Sequence, residues 1–295
     1  MKKRLFTGLC TALVTPFLDG EVNYPMLDVL IRRQIRSGVQ AIVLCGTTGE
    51  SATLSDEEKL HIFRRGVKAA EGACKIIAGT GSNDTRHAVQ LSIQAQRCGV
   101  DGLLVVTPYY NKATQAGLVK HYGLIADSVE IPVIAYNVPS RTGVDMSVDT
   151  CRELAKMSNI LGIKEANSDI VKAARIIAEC GLDLPLYSGN DDQTVAVMAL
   201  GGQGIISVAS NVSPLKMNAM VTAALNGDYD LAALLQRKLL PLTDLMFCQV
   251  NPIPVKAAMR AIGYDCGDCR MPLDGLSPEH QRRMDAFFRG TADIS

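Results

Sequence analysis

The sequence predicts an α/β fold, specifically a (β/α)8 TIM barrel with a C-terminal helical extension. The chain has 295 residues, and a barrel of this kind takes about 250 residues, which leaves room for an appendage. Eight short apolar runs recur along it, and helical patterns separate them. Hydrophobic residues make up 47% of the chain, enough for a sizeable core.

The eight apolar runs are rich in Val, Ile and Leu without strict alternation, which is expected for parallel strands buried on both faces. An open sheet that binds a dinucleotide should show Gly-x-Gly-x-x-Gly after its first strand. Leu13-Val-Thr-Pro-Phe17 stands there instead, so a closed barrel is preferred. The predicted strands cover residues 9–14, 41–45, 75–78, 102–106, 132–136, 160–163, 184–187 and 204–208.

Helix-start signals lie between these runs. Ser55-Asp-Glu-Glu58 is a capping box, with Ser55 as N-cap and Glu58 at the third helical position. Ser213 and Ser277 each precede a proline, which is favoured at the first helical position. We predict a barrel over residues 1–228 and a helical region over 229–295 that packs on it. The helices predicted in that second region cover residues 229–240, 254–262 and 277–289.

Charge and hydropathy exclude several functional classes. Lys plus Arg is 30 and Asp plus Glu is 30, a balance that gives no electrostatic footprint for nucleic acid or an anionic membrane. No apolar run approaches the roughly 18–20 residues that a spanning helix needs. The first eight residues, MKKRLFTG, lack a long apolar stretch, so we expect no signal peptide and a cytoplasmic protein.

The nine cysteines are scattered, and we interpret them as reduced thiols. Cys266-Gly-Asp-Cys269 has the spacing of a redox or zinc motif. A redox motif would begin a helix after a strand, and a zinc site would need two more ligands. No second Cys-x-x-Cys occurs in the sequence, so a loop with free thiols is preferred.

Active sites of such barrels lie at the carboxyl ends of the strands. Lys164 ends the sixth apolar run, so its amine should project into the barrel mouth. An ammonium that is buried without a partner tends to lose its proton, and a free amine attacks a carbonyl. The alternative is that Lys164 pairs with Glu165 or Asp191 for structure alone.

Polar groups at neighbouring strand ends favour a catalytic site. Tyr136 and Tyr110 offer phenols, and Thr47 and Thr48 offer hydroxyls and backbone N–H groups at a tight turn. Arg141 offers a fork that matches a carboxylate, although a surface cation is the alternative. Polar groups of these kinds follow six of the predicted strands. One shared site at the barrel mouth explains that better than chance does.

Other chemistries find less support. The chain has four histidines and no His-Glu-x-x-His motif, so no metal site is predicted. No nucleophile elbow or P-loop appears. Gly201-Gly-Gln-Gly204 could form the phosphate site of some barrels, but a tight turn before the last strand is preferred.

Five motifs spread along the chain belong together. They are Thr11-Ala-Leu-Val-Thr-Pro-Phe17, Gly46-Thr-Thr-Gly-Glu-Ser51, Tyr136-Asn-Val-Pro-Ser-Arg-Thr-Gly143, Gly162-Ile-Lys-Glu-Ala166 and Asn251-Pro-Ile-Pro-Val-Lys256. Together they resemble the dihydrodipicolinate synthase family, one of the pyruvate-dependent lyases. The resemblance implies that Lys164 forms an imine with pyruvate, without a cofactor. The derived enamine would attack L-aspartate 4-semialdehyde in lysine and diaminopimelate biosynthesis.

Two alternative functions remain. One is another aldolase of the superfamily, such as N-acetylneuraminate lyase or a keto-deoxy sugar acid aldolase. The other is a non-catalytic barrel that serves as a binding protein, against which the retention of Lys164, Tyr136 and Thr48 argues.

The resemblance also implies a proton relay. Tyr136 would be the acid–base group over the imine, and Thr48 would link it to Tyr110. A phenol with a pKa of about 10 is a poor base without such help. Family members are usually homotetramers built from tight dimers, and the tyrosine that matches Tyr110 reaches into the neighbouring subunit's site.

Substrate contacts are implied in the same way. Thr47 and Thr48 would hold the pyruvate carboxylate, and Arg141 would hold the carboxylate of the semialdehyde. Gly189 and the carbonyl of Ile206 would lie near the imine.

Finally, the resemblance implies weak or absent feedback inhibition by lysine. Asn83 and Tyr109 match the residues that hold the effector in lysine-sensitive relatives, but His87 replaces a glutamate. Asp56 and Lys59 stand where sensitive enzymes often have histidines. An ammonium that is partly desolvated needs a carboxylate partner, and imidazole is a poor substitute.

Overall fold

Eight parallel strands close into a barrel in this computed structural model, which describes residues 4–290. The (β/α)8 prediction is therefore confirmed. Residues 1–3 and 291–295, which end the two predicted regions, lie outside the described residues. The strands are β1 (Gly8–Ala12), β2 (Phe17–Leu18), β3 (Glu21–Val22), β4 (Ala41–Leu44), β5 (Lys75–Gly79), β6 (Gly102–Val106), β7 (Val133–Asn137), β8 (Ile160–Glu165), β9 (Leu186–Ser188) and β10 (Gly204–Ser207).

Around the ring, β1 is followed by β10, β9, β8, β7, β6, β5 and β4, and β4 pairs with β1 to close it. β2 and β3 form a short antiparallel hairpin outside the ring. The helices are α1 (Tyr24–Arg36), α2 (Asp56–Ala70), α3 (Thr85–Arg97), α4 (Gln115–Asp127), α5 (Pro139–Thr142), α6 (Val148–Ala155), α7 (Ile170–Cys180), α8 (Thr194–Ala199), α9 (Pro214–Leu225), α10 (Tyr229–Met246), α11 (Ile253–Ala261) and α12 (Pro278–Gly290).

Each barrel strand is buried on both faces, which is why the apolar runs do not alternate with polar residues. In β7, Val133 and Ala135 pack in the core between strands and helices. Ile134 and Tyr136 of the same strand face the barrel interior, where a second apolar cluster includes Ile206. Successive side chains of a strand point to opposite faces, so these two cores divide the strand residues between them.

Of the eight barrel strands, β6 alone keeps its predicted bounds, and the others differ by one or two residues at one or both ends. β8 continues past residue 163 to Glu165, because its last residues still pair with β7. β9 begins at Leu186, later than the predicted residue 184. Pro185 lacks the N–H group that a ladder position requires, but its carbonyl accepts a hydrogen bond from Ile163 N at 2.9 Å.

The predicted helix starts are present. Ser55 Oγ accepts from Glu58 N at 3.1 Å, and Glu58 Oε2 accepts from Ser55 N at 2.8 Å, which completes the capping box. α9 begins at Pro214 and α12 at Pro278. α10, however, continues to Met246, beyond the predicted end at residue 240.

The reason for the longer α10 is its apolar face. Pro241 lies inside the helix, where it removes one backbone hydrogen bond. Leu239, Leu242, Leu245 and Met246 are all buried on both sides of that proline. Their burial continues the same helix face and offsets the local cost.

The segment between α11 and α12 carries the Cys-x-x-Cys sequence. It has no regular secondary structure, and neither Cys266 nor Cys269 forms a disulfide. Burial raises the pKa of the Cys269 thiol to about 12. Within residues 4–290 there is no cluster of three side chains suited to a metal ion. None of the helices in that range has the length and apolar character to cross a bilayer.

Gly204 provides a test of the barrel closure. Its φ is +141°, and an added Cβ would lie 1.9 Å from the carbonyl oxygen of Gly8 on β1. We expect Gly204→Ala to lower the free energy of unfolding by ~3 kcal/mol or more, since strain and overpacking add. Denaturant titration measures the loss.

Gly227→Ala is the matched control for this test. Gly227 also has a positive φ, +79°, but an added Cβ would contact nothing within 4 Å. This variant should lose only about 1 kcal/mol, the cost of the backbone conformation alone. Equal losses in the two variants would contradict the packing argument.

Candidate active site

The pairing of β7 with β8 places Lys164 directly beside Tyr136. The two residues are register partners in this parallel pair, and both side chains point into the barrel. The Nζ atom of Lys164 lies 4.3 Å from the centroid of the Tyr136 ring. Lys164 is 5% exposed and Tyr136 is 7% exposed. A nitrogen nucleophile and a phenol therefore share one water-poor site.

Glu165 does not pair with Lys164, because its side chain points to the other face of β8. It accepts hydrogen bonds from Asn137 Nδ2 at 2.9 Å and from Asn167 N at 2.8 Å, and lies 3.3 Å from Lys172 Nζ. Lys172 also binds Asp145. Burial raises the pKa of Glu165, and the Lys172 charge offsets this only in part.

Asp191 does not pair with Lys164 either, because other groups bind its carboxylate. Its carboxylate accepts from Ser207 Oγ at 2.5 Å, from Val208 N at 3.0 Å and from Ala209 N at 3.2 Å. Burial raises its pKa, while these hydrogen bonds and the charge of Lys164 act in the opposite direction. In the described part of the chain, no carboxylate lies within ion-pair distance of Lys164. The structural alternative for Lys164 therefore finds no support.

Thr47 and Thr48 lie in a tight turn after β4. Glu50 N donates to Thr47 O at 3.1 Å, and Gly49 N donates to Gly46 O at 3.1 Å. Thr48 is 2% exposed, and its Oγ1 accepts a hydrogen bond from Asn251 Nδ2 at 3.0 Å. The turn thus holds the Thr48 hydroxyl at a fixed place.

A buried ion pair anchors the far end of this turn. Glu50 Oε1 lies 2.5 Å from Lys256 Nζ on α11, and both side chains are almost fully buried. Lys256 also lies 4.2 Å from the Phe17 ring centroid, and Arg270 N donates to Glu50 Oε2 at 2.8 Å. Sequence reasoning gave Glu50 and Lys256 no role. Both residues lie within motifs that match the family, and Lys256 is also a charge within an apolar helix start.

Arg141 lies on α5, which follows β7. Its guanidinium is exposed, and Nη2 donates to the carbonyl oxygen of Asn251 at 3.1 Å. Asn251 therefore contacts both Arg141 and Thr48, which brings these two predicted site residues to the same side of the barrel mouth. Within residues 4–290 this is the one side-chain hydrogen bond of Arg141, so the other N–H groups of its fork can bind a carboxylate.

Tyr110 is not brought to the site by its own chain. It is 90% exposed, its φ is +73°, and within the described residues it forms no hydrogen bond. The loop around it is nevertheless fixed, because Asn111 Nδ2 donates to Asn83 O at 2.9 Å. Such an exposed aromatic side chain in a fixed loop is typical of a contact with another molecule.

Of the remaining predicted site residues, Gly189 directly follows β9 and Ile206 lies on β10. Gly189 N donates to Glu165 O at 2.7 Å. An added Cβ at Gly189 would lie 2.6 Å from Ala166 Cβ, so the chain can pass the end of β8 only as glycine. Ile206 belongs to the apolar cluster of the barrel interior, together with Tyr136.

Comparison with known proteins indicates the same family as the sequence motifs do. The sequence profile of the dihydrodipicolinate synthetase family matches residues 5–289. The chain belongs to the dihydrodipicolinate synthetase family. The predicted family resemblance is thereby confirmed across nearly the whole chain.

Relatives in this family are similar over their full length. The 4-hydroxy-tetrahydrodipicolinate synthase of Acetivibrio thermocellus is 46% identical over 280 residues, which covers 95% of both chains. That of Thermoanaerobacter pseudethanolicus is 48% identical over 277 residues, covering 94% of this chain and 93% of the relative. The solved dihydrodipicolinate synthase of Aquifex aeolicus is 43% identical with a TM-score of 0.95, covering 97% and 98% of the two chains.

The Glu50–Lys256 pair can be tested by removing one or both charges. Lys256→Met should lower the free energy of unfolding by about 3–5 kcal/mol, because it leaves a buried carboxylate without its partner. The double variant Lys256→Met/Glu50→Gln should recover part of that loss in the same denaturant titration.

Arg260→Met on the same helix is the control. Arg260 binds the exposed carboxylates of Asp265 and Asp268, so its loss should cost less than about 1 kcal/mol. If Lys256→Met costs no more than this control, the buried pair does not hold the turn.

Proposed function

We propose that this chain catalyses the reaction of a 4-hydroxy-tetrahydrodipicolinate synthase, the condensation of pyruvate with L-aspartate 4-semialdehyde. The observation that carries the proposal is the buried pair of Lys164 and Tyr136, with Nζ 4.3 Å from the ring centroid. Curated relatives that bear this enzyme's name, 42–48% identical, support the choice of substrates.

The first half of the proposed reaction forms an imine. The neutral amine of Lys164 attacks the ketone carbon of pyruvate, and the ketone oxygen leaves as water. Tyr136, beside Nζ, donates the proton that this oxygen needs. Loss of a proton from the pyruvate methyl group then gives the enamine. The imine itself takes up the electron pair, so the proposal requires no cofactor and no metal.

In the second half, the enamine carbon attacks the aldehyde of the semialdehyde. The substrate's own amine then attacks the imine carbon, closes the ring and releases Lys164 as a free amine. In this scheme Arg141 holds the semialdehyde carboxylate, and Thr47 and Thr48 hold that of pyruvate. A relay from Tyr136 through Thr48 to Tyr110 moves the protons.

Gly189 and Ile206 complete the proposed site. At Gly189 the chain passes the end of β8 too closely for a side chain, so in the proposed site only its backbone would lie near the imine. The carbonyl of Ile206, at the end of the barrel interior, would accept a hydrogen bond there.

Assembly and location follow as further parts of the proposal. We place the chain in a cytoplasmic homotetramer, a dimer of dimers in which Tyr110 completes the neighbouring site. The 90% exposure of Tyr110 supports this. A solved relative, 38% identical, is described as a monomeric dihydrodipicolinate synthase variant. The balanced charge supports small-molecule substrates and neither nucleic acid nor a membrane as partner.

Borohydride trapping tests the chemistry. With pyruvate and borohydride, the wild type should gain the mass of one reduced imine, and peptide mapping should place it on Lys164. Lys164→Ala should not be labelled and should lose nearly all turnover. Lys172→Arg, which keeps the charge of a buried lysine on α7, is the control and should still be labelled.

A coupled assay tests the second substrate. Pyruvate with aspartate semialdehyde should give turnover, whereas pyruvate with N-acetylmannosamine should give none. Turnover with the sugar alone would refute the synthase proposal and leave the imine chemistry intact. A wild type that stays unlabelled would refute both.

Weak inhibition by lysine is a further expectation, and the structure supplies a physical reason. His87 Nε2 lies 2.7 Å from Asp56 Oδ2, and Lys59 Nζ lies 3.5 Å from Asp56 Oδ1. Burial alone would raise the pKa of Asp56, but these two partners hold it below its usual range. Both oxygens of the Asp56 carboxylate thus already have a partner, which weakens their attraction for the effector's ammonium.

Initial rates measured against lysine concentration check this expectation. The wild type should keep most of its activity in millimolar lysine, and His87→Glu should become more sensitive because it supplies a carboxylate. Strong inhibition of the wild type below millimolar lysine would contradict it.

A further inference from the structure

The pairing of β7 with β8 changes register part-way along the two strands. Val133 is paired with Ile160, but the next residue of β7, Ile134, is paired with Gly162. Among the described residues of β7, none is paired with Leu161, so β8 carries one residue more than the ladder uses. Such an extra residue forms a β-bulge, and bulges beside active sites change the direction of a side chain.

Burial shows that the bulge reverses the alternation of β8. Ile160 and Ile163 both lie in the core between strands and helices, although residues three apart in a regular strand face opposite sides. In β7 the alternation is regular, since Ala135 lies in that core and Tyr136 faces the barrel interior. Lys164 therefore faces the interior because the extra residue is accommodated before it.

Two registers are thus open to the carboxyl ends of these strands. In the observed register, Tyr136 is opposite Lys164. Asn137 is then opposite Glu165. If the register of the strand starts continued unchanged instead, Asn137 would be opposite Lys164, whose side chain would face the helices. The amine would then lie on the wrong side of the strand for a substrate at the barrel mouth.

A side-chain contact between the two strands favours the observed register. Asn137 Nδ2 donates to Glu165 Oε1 at 2.9 Å and to Glu165 Oε2 at 3.1 Å. We infer that Asn137 is a positioning residue, whose hydrogen bonds to Glu165 hold the register beyond the bulge and keep Lys164 directed into the barrel. The inference rests on the proposed function, in which Lys164 forms the imine.

The amide of Asn137 is suited to this role because both of its ends are bound. Nδ2 also donates to Asp145 Oδ1 at 2.7 Å, and Oδ1 accepts from Met146 N at 2.9 Å. Asn137 is 0% exposed and Glu165 is 4% exposed, so water does not readily replace these contacts. A carboxylate in place of the amide could not donate to Glu165, and an apolar side chain could neither donate nor accept.

The surroundings of Glu165 also disfavour a lysine in its place. Lys172 Nζ on α7 lies 3.3 Å from Glu165 Oε2, and the Lys172 side chain is 11% exposed. In the alternative register the amine of Lys164 would enter this region and meet a like charge. Of the two contacts of Glu165, the one with Asn137 joins β8 to β7, so its removal tests the register.

Deletion of Leu161 removes the choice between registers. The residues on either side of it then become neighbours in the chain, as their partners on β7 already are. β8 can then pair with β7 at both ends without a bulge. In that chain Lys164 should keep its direction whether or not Asn137 is present.

Four variants are compared with the wild type. They are Asn137→Ala, the deletion of Leu161, these two changes combined, and Asn159→Ala as a control. Asn159 directly precedes β8 and donates from Nδ2 to Ala126 O at 3.2 Å and to Val129 O at 2.8 Å. It thus forms two amide hydrogen bonds at the opposite end of the same strand. Imine formation with pyruvate is measured by quenching with borohydride, and thermal unfolding is measured in parallel.

Asn137→Ala should slow imine formation about ten-fold or more in the full-length chain, because it removes hydrogen bonds to a buried carboxylate. Asn159→Ala should lower the unfolding temperature but keep the rate within about two-fold of wild type. In the chain that lacks Leu161, Asn137→Ala should change the rate by less than about two-fold, although it still lowers the unfolding temperature.

Equal slowing by Asn137→Ala with and without Leu161 would overturn the inference, because a role in packing alone gives equal losses in the two backgrounds. If the deletion chain does not fold, the two alanine variants decide. A rate loss confined to Asn137→Ala supports the inference. Equal rates in Asn137→Ala and Asn159→Ala contradict it.

Formaldehyde with cyanoborohydride separates this inference from the proposed function. Formaldehyde forms an iminium with an amine, and cyanoborohydride supplies the hydride that reduces it to a methylamine, so no synthase activity is needed. If wild-type Lys164 is methylated but does not trap pyruvate, the proposed function is refuted, and the same variants are compared by their rates of methylation at Lys164. If wild-type Lys164 resists both reagents, the inference fails together with the proposed function.

Discussion

The register between β7 and β8 is the constraint on which the rest of the site depends. It sets Tyr136 opposite Lys164 and Asn137 opposite Glu165. Since successive residues of a strand face opposite sides, the first pair enters the barrel and the second faces the helices. A shift of one residue in β8 would turn Lys164 outward and Glu165 inward. The interior would then hold a carboxylate in place of the amine, and a carboxylate cannot form an imine with a ketone.

The same alternation keeps negative charge away from the Lys164 amine. Glu165 is directed outward to Lys172, and Asp191 is bound by Ser207 and two backbone N–H groups. A carboxylate at contact distance from Nζ would favour the ammonium, which has no lone pair for attack. The hydrogen bonds of Glu165 and Asp191 therefore support the chemistry of a residue that neither of them contacts.

Much of the fold could be predicted because its determinants are local. Eight apolar runs gave the strands, Ser55 and Glu58 gave a helix start, and Lys164 was found because it ends an apolar run. Contacts between distant segments could not be predicted from one sequence. Asn251 and Thr48 are 203 residues apart, and neither has a local pattern that names its partner. The length of α10 was missed for a similar reason. The helix continues beyond Pro241 because burial of its apolar face outweighs the tendency of proline to end a helix.

These distant contacts also show why the C-terminal helices belong to the site. Two cations lie over the ring of the hairpin residue Phe17, Lys256 at 4.2 Å and Arg270 at 4.4 Å from the ring centroid. Arg270 in turn binds Glu58 at the start of α2. The segment after α10 thereby ties together the hairpin, the Thr48 turn and α2. A (β/α)8 barrel alone can place Lys164 and Tyr136, because strand pairing does so. The hydrogen bonds to the Thr48 hydroxyl and to the Arg141 guanidinium require Asn251, which the barrel strands do not supply.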